Sequence, residues 1–151
     1  LQLVIVGDGS TREQLEKAAQ EKLPGVVHFT GKISRSEMNR YYSAADLFAF
    51  PGIQESLGMV YLEAQSCGLP VVAFKDWGAS EAVVHERTGL LASFALRQTF
   101  AENIERLILD KKLRKKMGKE AADHVRKVHD LDKNYGIIEK KIGELLNPLR
   151  T

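Results

Sequence analysis

Cysteine, aromatic surface and long apolar runs are all scarce in this 151-residue chain. A single cysteine, Cys67, excludes an intrachain disulfide and fits a reducing compartment. The longest continuous apolar stretches, such as Leu3 to Val6 and Leu47 to Phe50, fall far short of the roughly 20 residues that a membrane-spanning helix needs. Aromatic residues make up 7%, too few for the mixture of basic and aromatic side chains that marks a nucleic-acid binder, so no nucleic-acid partner is expected. Four Pro and twelve Gly are spread along the chain, which excludes both a collagen-like repeat and a disordered low-complexity segment. No signal peptide or internal repeat appears, and a cytoplasmic location is the expectation. His28 and His85 are isolated, and His124 and His129 are five apart, not the spacing that stacks two ligands on one helix face. No metal site is expected.

What is present is an ordinary globular balance, 44% hydrophobic and 28% charged. A domain of this length buries roughly 70% of the surface its unfolded chain exposes. The formal charge of +2 hides an asymmetry. Residues 1 to 96 carry eight Lys or Arg against eleven Asp or Glu, and residues 97 to 151 carry fourteen against nine. The excess sits mainly in Lys111, Lys112, Arg114, Lys115, Lys116 and Lys119, either a solvated helix face or a meeting place for an anionic partner or lipid.

Short apolar runs alternate with helical patterns. Leu3 to Val6 is rich in β-branched residues and reads as a strand buried on both faces, as in parallel sheets. Ser10 with Glu13 makes a capping box, predicting a helix from about Thr11 to Lys22. Pro24-Gly25 breaks it before a strand over Val26 to Thr30. Ser34 with Glu37 repeats the box for a helix to about Ser43. Leu47 to Phe50 is a third strand, then a helix from about Gly58 to Ser66, a fourth strand over Val71 to Phe74 and a short one at Gly89 to Leu91. Beyond Leu96 three helices follow, to about Leu109, His129 and Leu146. The expected class is α/β, a Rossmann-like three-layer parallel sheet with helices on both faces and a helical carboxyl-terminal third. Leu1 enters a strand almost at once, so residues 1–151 are expected to be a single partial domain.

The segment from Pro51 to Ala64 runs from the carboxyl end of a strand into a helix N-terminus, where open α/β sheets bind ligands. Free amides near Ser56, Leu57, Gly58 and Met59 would point at an anion with the helix dipole behind them. Glu63 lies five residues past Gly58, about 8 Å along the helix axis. Glu55 and Glu63 are either acceptors for sugar hydroxyls or, more plainly, a helix-dipole partner and a solvated helix residue.

Glu55 and Glu63 form E-x7-E within P-x3-E-S-L-G-M-x3-E-A-x2-C-G-L-P-V-V, from Pro51 to Val72. This segment resembles the signature of the retaining GT-B glycosyltransferases of the group 1 (family 4) class. The resemblance extends to Val6-Gly7-Asp8-Gly9, Phe29-Thr30-Gly31, Tyr42 to Pro51, Gly78, Glu81 and Thr88 to Leu91, and covers nearly the whole chain in the order of a donor-binding C-terminal domain. It implies that Glu55 holds the donor sugar hydroxyls, as the catalytic-site carboxylate. It implies that amides of Ser56 to Met59 hold sugar and diphosphate, Glu63 the ribose, and the turn Gly31-Lys32-Ile33 the base. The parent would be a hexosyltransferase using a nucleotide-diphosphate-sugar donor, with no cofactor and no metal ion. The reaction implied is front-side attack, in which the donor's phosphate takes the acceptor proton.

The resemblance also places the family's diphosphate-clamping Arg and Lys upstream of Leu1. An N-terminal acceptor-binding domain would be this segment's partner within the parent chain, so the segment alone is expected to be inactive. Peripheral attachment of the parent to a membrane is compatible with the family. Where the family has a glycine pair after the fourth strand, this chain has Trp77-Gly78-Ala79. Two alternatives stand beside this reading: half of a nucleotide-sugar 2-epimerase, and a non-catalytic flavodoxin-like nucleotide-binding module.

Gly7-Asp8-Gly9 lacks a third glycine at Arg12 and reads as a structural turn more than a phosphate loop. Cys67 reads as a small packed residue, Lys75 as a surface residue, and Tyr41 and Tyr42 as core. Trp77, placed in a loop, is either a packed lid or an exposed contact.

Overall fold

The computed structural model describes residues 1–53, 55–75 and 77–146, the side chain of Trp77 excepted. The chain forms two compact units that meet in sequence between Tyr41 and Tyr42. In the first, β1 (Leu3–Val6) and β2 (Val27–Gly31) pair in parallel around α1 (Arg12–Lys22), with Leu3 opposite Val27 and Val6 opposite Gly31. Helix α2 (Arg35–Ala44) carries the boundary.

The second unit contains β3 (Phe48–Phe50), α3 (Met59–Ser66), β4 (Val71–Phe74), α4 (Trp77–Ala82) and β5 (Gly89–Ala92). A short 3-10 turn at Phe94–Leu96 leads into α5 (Arg97–Leu109), α6 (Lys111–Val128) and α7 (Leu131–Leu146). Its three strands are parallel in the order β3-β4-β5. The parallel sheets, flanked by helices, and the helical carboxyl-terminal third agree with the alternation read from the sequence.

Strand β4 is buried along its whole length because β3 and β5 cover both its edges. Val72, Leu90, Leu107 and Met117 meet beneath it, ringed by Leu47, Phe100, Ile104 and Leu113. Fully burying one such side chain stabilises the fold by about 1.5–3 kcal/mol. Gln65 is also buried there, and its amide donates to the Tyr61 and Ala82 carbonyls, fastening α3 to the end of α4.

Four expectations need correction. Strand β1 is not buried on both faces: Leu3, Val4 and Val6 are 43%, 45% and 36% exposed, because β1 pairs with β2 alone and α1 contributes no buried residue. Ser10 does not cap α1: the N-cap is Thr11 without a side-chain bond, since a turn from the Gly9 carbonyl to the Arg12 N–H delays the helix. Trp77 does not lie in a loop but opens α4; its side chain lies outside the described residues. Arg114 does not belong to the solvated basic run. It is 14% exposed, and its guanidinium donates to the Leu107 and Ile108 carbonyls at the end of α5. The Ser34 box, in contrast, forms in part: the Glu37 carboxylate accepts both the Ser34 hydroxyl and its backbone N–H.

Candidate functional site

Pro51-Gly52 ends β3 and the chain turns across to α3. Gly58 is the N-cap of α3, in the left-handed region at φ 69°. That conformation strains any residue with a Cβ, and space forbids one too. A Cβ on Gly58 would stand 2.6 Å from the Gly78 carbonyl oxygen, and one on Gly78 would stand 2.5 Å from the Glu55 carbonyl oxygen. Two glycines therefore let the first turn of α4 lie directly against the loop before α3. The Gly78 N–H donates to the Glu55 carbonyl at 2.7 Å and fixes the contact.

The clamped loop places a half-buried carboxylate at the positive end of α3. Glu55 Oε1 accepts from the Gly58 N–H at 3.2 Å and the Leu57 N–H at 3.4 Å. Two of the four sequence-predicted anion donors, the Leu57 and Gly58 N–H groups, thus already have Glu55 as their acceptor. The Met59 and Val60 N–H groups have no acceptor among the described residues. Ser56, Leu57 and Met59 are exposed, whereas Gly58 is buried. An anion here would take the Met59 and Val60 N–H groups, with the helix dipole adding attraction, and would have to displace the Glu55 carboxylate to reach those of Leu57 and Gly58.

Further along α3, half-buried Glu63 accepts from the Tyr42 hydroxyl at 3.4 Å. Burial, then the charge of Glu63, pushes the Tyr42 phenol up to about 12. Tyr42 is held by an aromatic row: its ring meets Phe48 edge-on at 5.6 Å, Phe48 stacks on Phe50, and Phe50 meets the buried Tyr61 ring of α3. Core packing was legible for Tyr42; its bond to Glu63 was not, because residues 21 apart meet only through the β3–α3 crossover. Tyr41, also read as core, is 37% exposed.

Gly31, Lys32 and Ile33 lie in the first unit, at the end of β2. Gly31 is buried with φ 71°, Lys32 exposed and Ile33 half-buried. The Gly7 N–H donates to the Gly31 carbonyl at 2.9 Å, and Asp8 accepts from the Gly9 N–H, so Gly7 to Gly9 is a turn that satisfies itself. Cys67 is a half-buried free thiol at the end of α3, and Lys75 is exposed. His124 and His129 meet edge-on at 5.6 Å, and burial with the neighbouring His129 lowers the His124 pKa. Among the described residues, no group of three or more His, Cys, Asp or Glu could hold a metal ion.

Residues 1–124 match the family model described as glycosyl transferases group 1. The chain belongs to this family. Among its relatives is the D-inositol 3-phosphate glycosyltransferase of Pseudarthrobacter chlorophenolicus, 38% identical over 125 residues, or 81% of this chain and 30% of that protein. Among solved structures, Anabaena HepE in complex with UDP-glucose superposes with a TM-score of 0.79 at 28% identity, covering 97% of this chain and 41% of that one. The C-terminal domain of a group 1 glycosyl transferase from Francisella tularensis superposes at 0.77 with 26% identity, over 86% of this chain and 70% of that domain. These neighbours carry the GT-B fold, and this group 1 chain corresponds to its C-terminal domain. The chain spans about 30% of the length of the curated relatives it matches.

Proposed function

We propose that this chain is the donor-binding half of a cytoplasmic glycosyltransferase, a hexosyltransferase that takes its sugar from a nucleotide diphosphate and retains the anomeric configuration. The observation that carries the reading is the junction of Glu55, Gly58 and Gly78. It presents backbone donors at the start of α3 and a carboxylate in reach of the same space. The UDP-glucose held by HepE, a family relative of the same fold, supports a nucleotide-sugar ligand.

In this reading the diphosphate takes the Leu57 to Val60 amides. Glu55 gives them up to the phosphate and turns its oxygens to the sugar hydroxyls. Glu63, steadied by Tyr42, accepts from the ribose. The C1–oxygen bond to the diphosphate breaks as the acceptor oxygen bonds C1 on the same face. The acceptor proton passes to the departing phosphate oxygen. No protein nucleophile and no metal ion take part. An N-terminal domain supplies the acceptor site together with an Arg and a Lys for the diphosphate.

Calorimetric titration tests the reading. UDP, GDP and their glucose or mannose esters should bind this chain with weak affinity, on the order of 1 mM or about 4 kcal/mol, and inorganic phosphate more weakly still. Equal affinity for inorganic phosphate and for every nucleotide would leave only a general anion site and would refute it.

A further inference from the structure

Helix α6 carries its charge in an unfavourable place. Lys111 and Lys112 occupy its first turn, where the macrodipole is positive, and the first turn holds no acidic residue. Asp110, the N-cap, accepts the Leu113 N–H. Between Lys111 and Lys119 there is no Asp or Glu at all. Lys111, Lys112, Lys115, Lys116 and Lys119 are all exposed. At about 100° per residue they fall within an arc of about 140° on one side of the helix. Leu113 and Met117 turn the other way, into the core. Only Lys116 among the five has an ion-pair partner among the described residues, Glu120 at 3.9 Å, and it remains 74% exposed. Arg114, the one arginine in this run, is spent on the end of α5.

Five like charges on one face repel each other and, at the first turn, the helix itself. Stability alone would favour acids at Lys111 and Lys112. We propose that this face docks the protein on the surface of an anionic phospholipid bilayer. A bilayer fits better than a nucleic acid for three reasons on this surface. No Phe, Tyr or Trp accompanies the lysines between Lys111 and Val128 to stack on a base. Lysines are compact point charges suited to a smeared field of headgroups, and lack the fork that grips one phosphate. Leu109, two residues before Lys111, is 76% exposed and adds an apolar tip that can enter the interface. The inference goes beyond the donor site and does not depend on it.

Co-sedimentation of the chain with vesicles tests the inference. The chain should sediment with vesicles of equimolar phosphatidylcholine and phosphatidylglycerol and not with phosphatidylcholine alone, and high salt should release it. Replacing the lysines by Gln should weaken binding roughly fivefold for each one removed. The double variant Lys111→Glu, Lys112→Glu should bind vesicles less while melting at a higher temperature than the parent chain. Opposite signs in the two readouts separate docking from folding, because damage to the fold would lower both. Equal sedimentation with both lipids, or variants that bind as well as the parent chain, would overturn the proposal. So would single-stranded RNA that binds this face more tightly than vesicles presenting the same phosphate concentration.

Discussion

Gly78 donates its backbone N–H to the carbonyl of Glu55 at 2.7 Å, and neither Gly78 nor the adjoining Gly58 has room for a Cβ. The bond joins the first turn of α4 to the loop that precedes α3. It therefore fixes where the Glu55 side chain and the Leu57 and Gly58 amides lie relative to one another. The backbone donors of this junction have no side chain to delete, so their dependence on glycine is what can be tested.

Gly78→Ala should push the α4 turn off the loop. The Cβ would meet the Glu55 oxygen at 2.5 Å and the Gly58 nitrogen at 2.6 Å, both backbone atoms that cannot rotate away. Overpacking of this kind costs about 1–3 kcal/mol. Thermal melting should fall by about 2–4 °C for each kcal/mol lost, and nucleotide affinity should fall with it. An alanine variant that melts and binds like the parent chain would show that the close approach is not needed.

Tyr42 gives a pH signature. Its folded pKa, about 12, lies above the ordinary 10. A phenol whose pKa is raised on folding contributes stability that is complete below pH 10 and is lost between about 10 and 12, as the unfolded chain ionises first. The loss at the top of that window is on the order of 2–3 kcal/mol. Tyr42→Phe should flatten the alkaline part of a stability–pH curve relative to the parent chain. It should also weaken nucleotide binding without changing inorganic phosphate binding, since the bond to Glu63 is lost and the anion site is untouched.

His124 titrates the other way. Its pKa is lowered by burial and by the neighbouring His129 and Arg87 charges. Stability that depends on neutral His124 is therefore complete above the ordinary pKa of about 6.5 and falls as the pH drops below it. His124→Gln should make the melting temperature less dependent on pH below about 6.5, as followed by circular dichroism.

In the full-length parent the two glutamates should separate kinetically. Glu55→Gln should mainly lower kcat, because in the proposed reading its contacts are to the sugar on which charge develops. Glu63→Gln should mainly raise the donor KM, because the ribose is remote from the reacting carbon. A chelator should leave the rate unchanged, in keeping with transfer that uses no metal ion. Wild-type kcat and KM in both variants would reduce Glu55 and Glu63 to a helix start.

The legible parts of the fold were those dictated by local patterns. Val71 to Phe74 reads as a buried strand and is buried, because its neighbours on both edges follow from the same alternation. Leu3 to Val6 carries the same signal and is exposed, because burial depends on whether other strands and helices cover it, which no run of four residues encodes. The strand-to-helix turn that carries Glu55 and the helix that carries Glu63 were legible from the local pattern. The roles of Gly78 and Tyr42 were not. Gly78 acts through a backbone N–H twenty-three residues away from its acceptor, and Tyr42 through a hydroxyl brought to Glu63 by the packing of an aromatic row. Arg114 sat within a run of lysines of like charge, and only the end of α5 distinguishes it.

The most direct test of the donor site is an amide-resolved titration of the isotope-labelled chain with UDP-glucose, followed by nuclear magnetic resonance. Saturable shifts should concentrate at the backbone N–H groups of Leu57, Gly58, Met59 and Val60. Glu55→Gln should alter this set. Shifts confined to surfaces away from the start of α3, or none at millimolar nucleotide sugar, would contradict the assignment of this junction as the donor site.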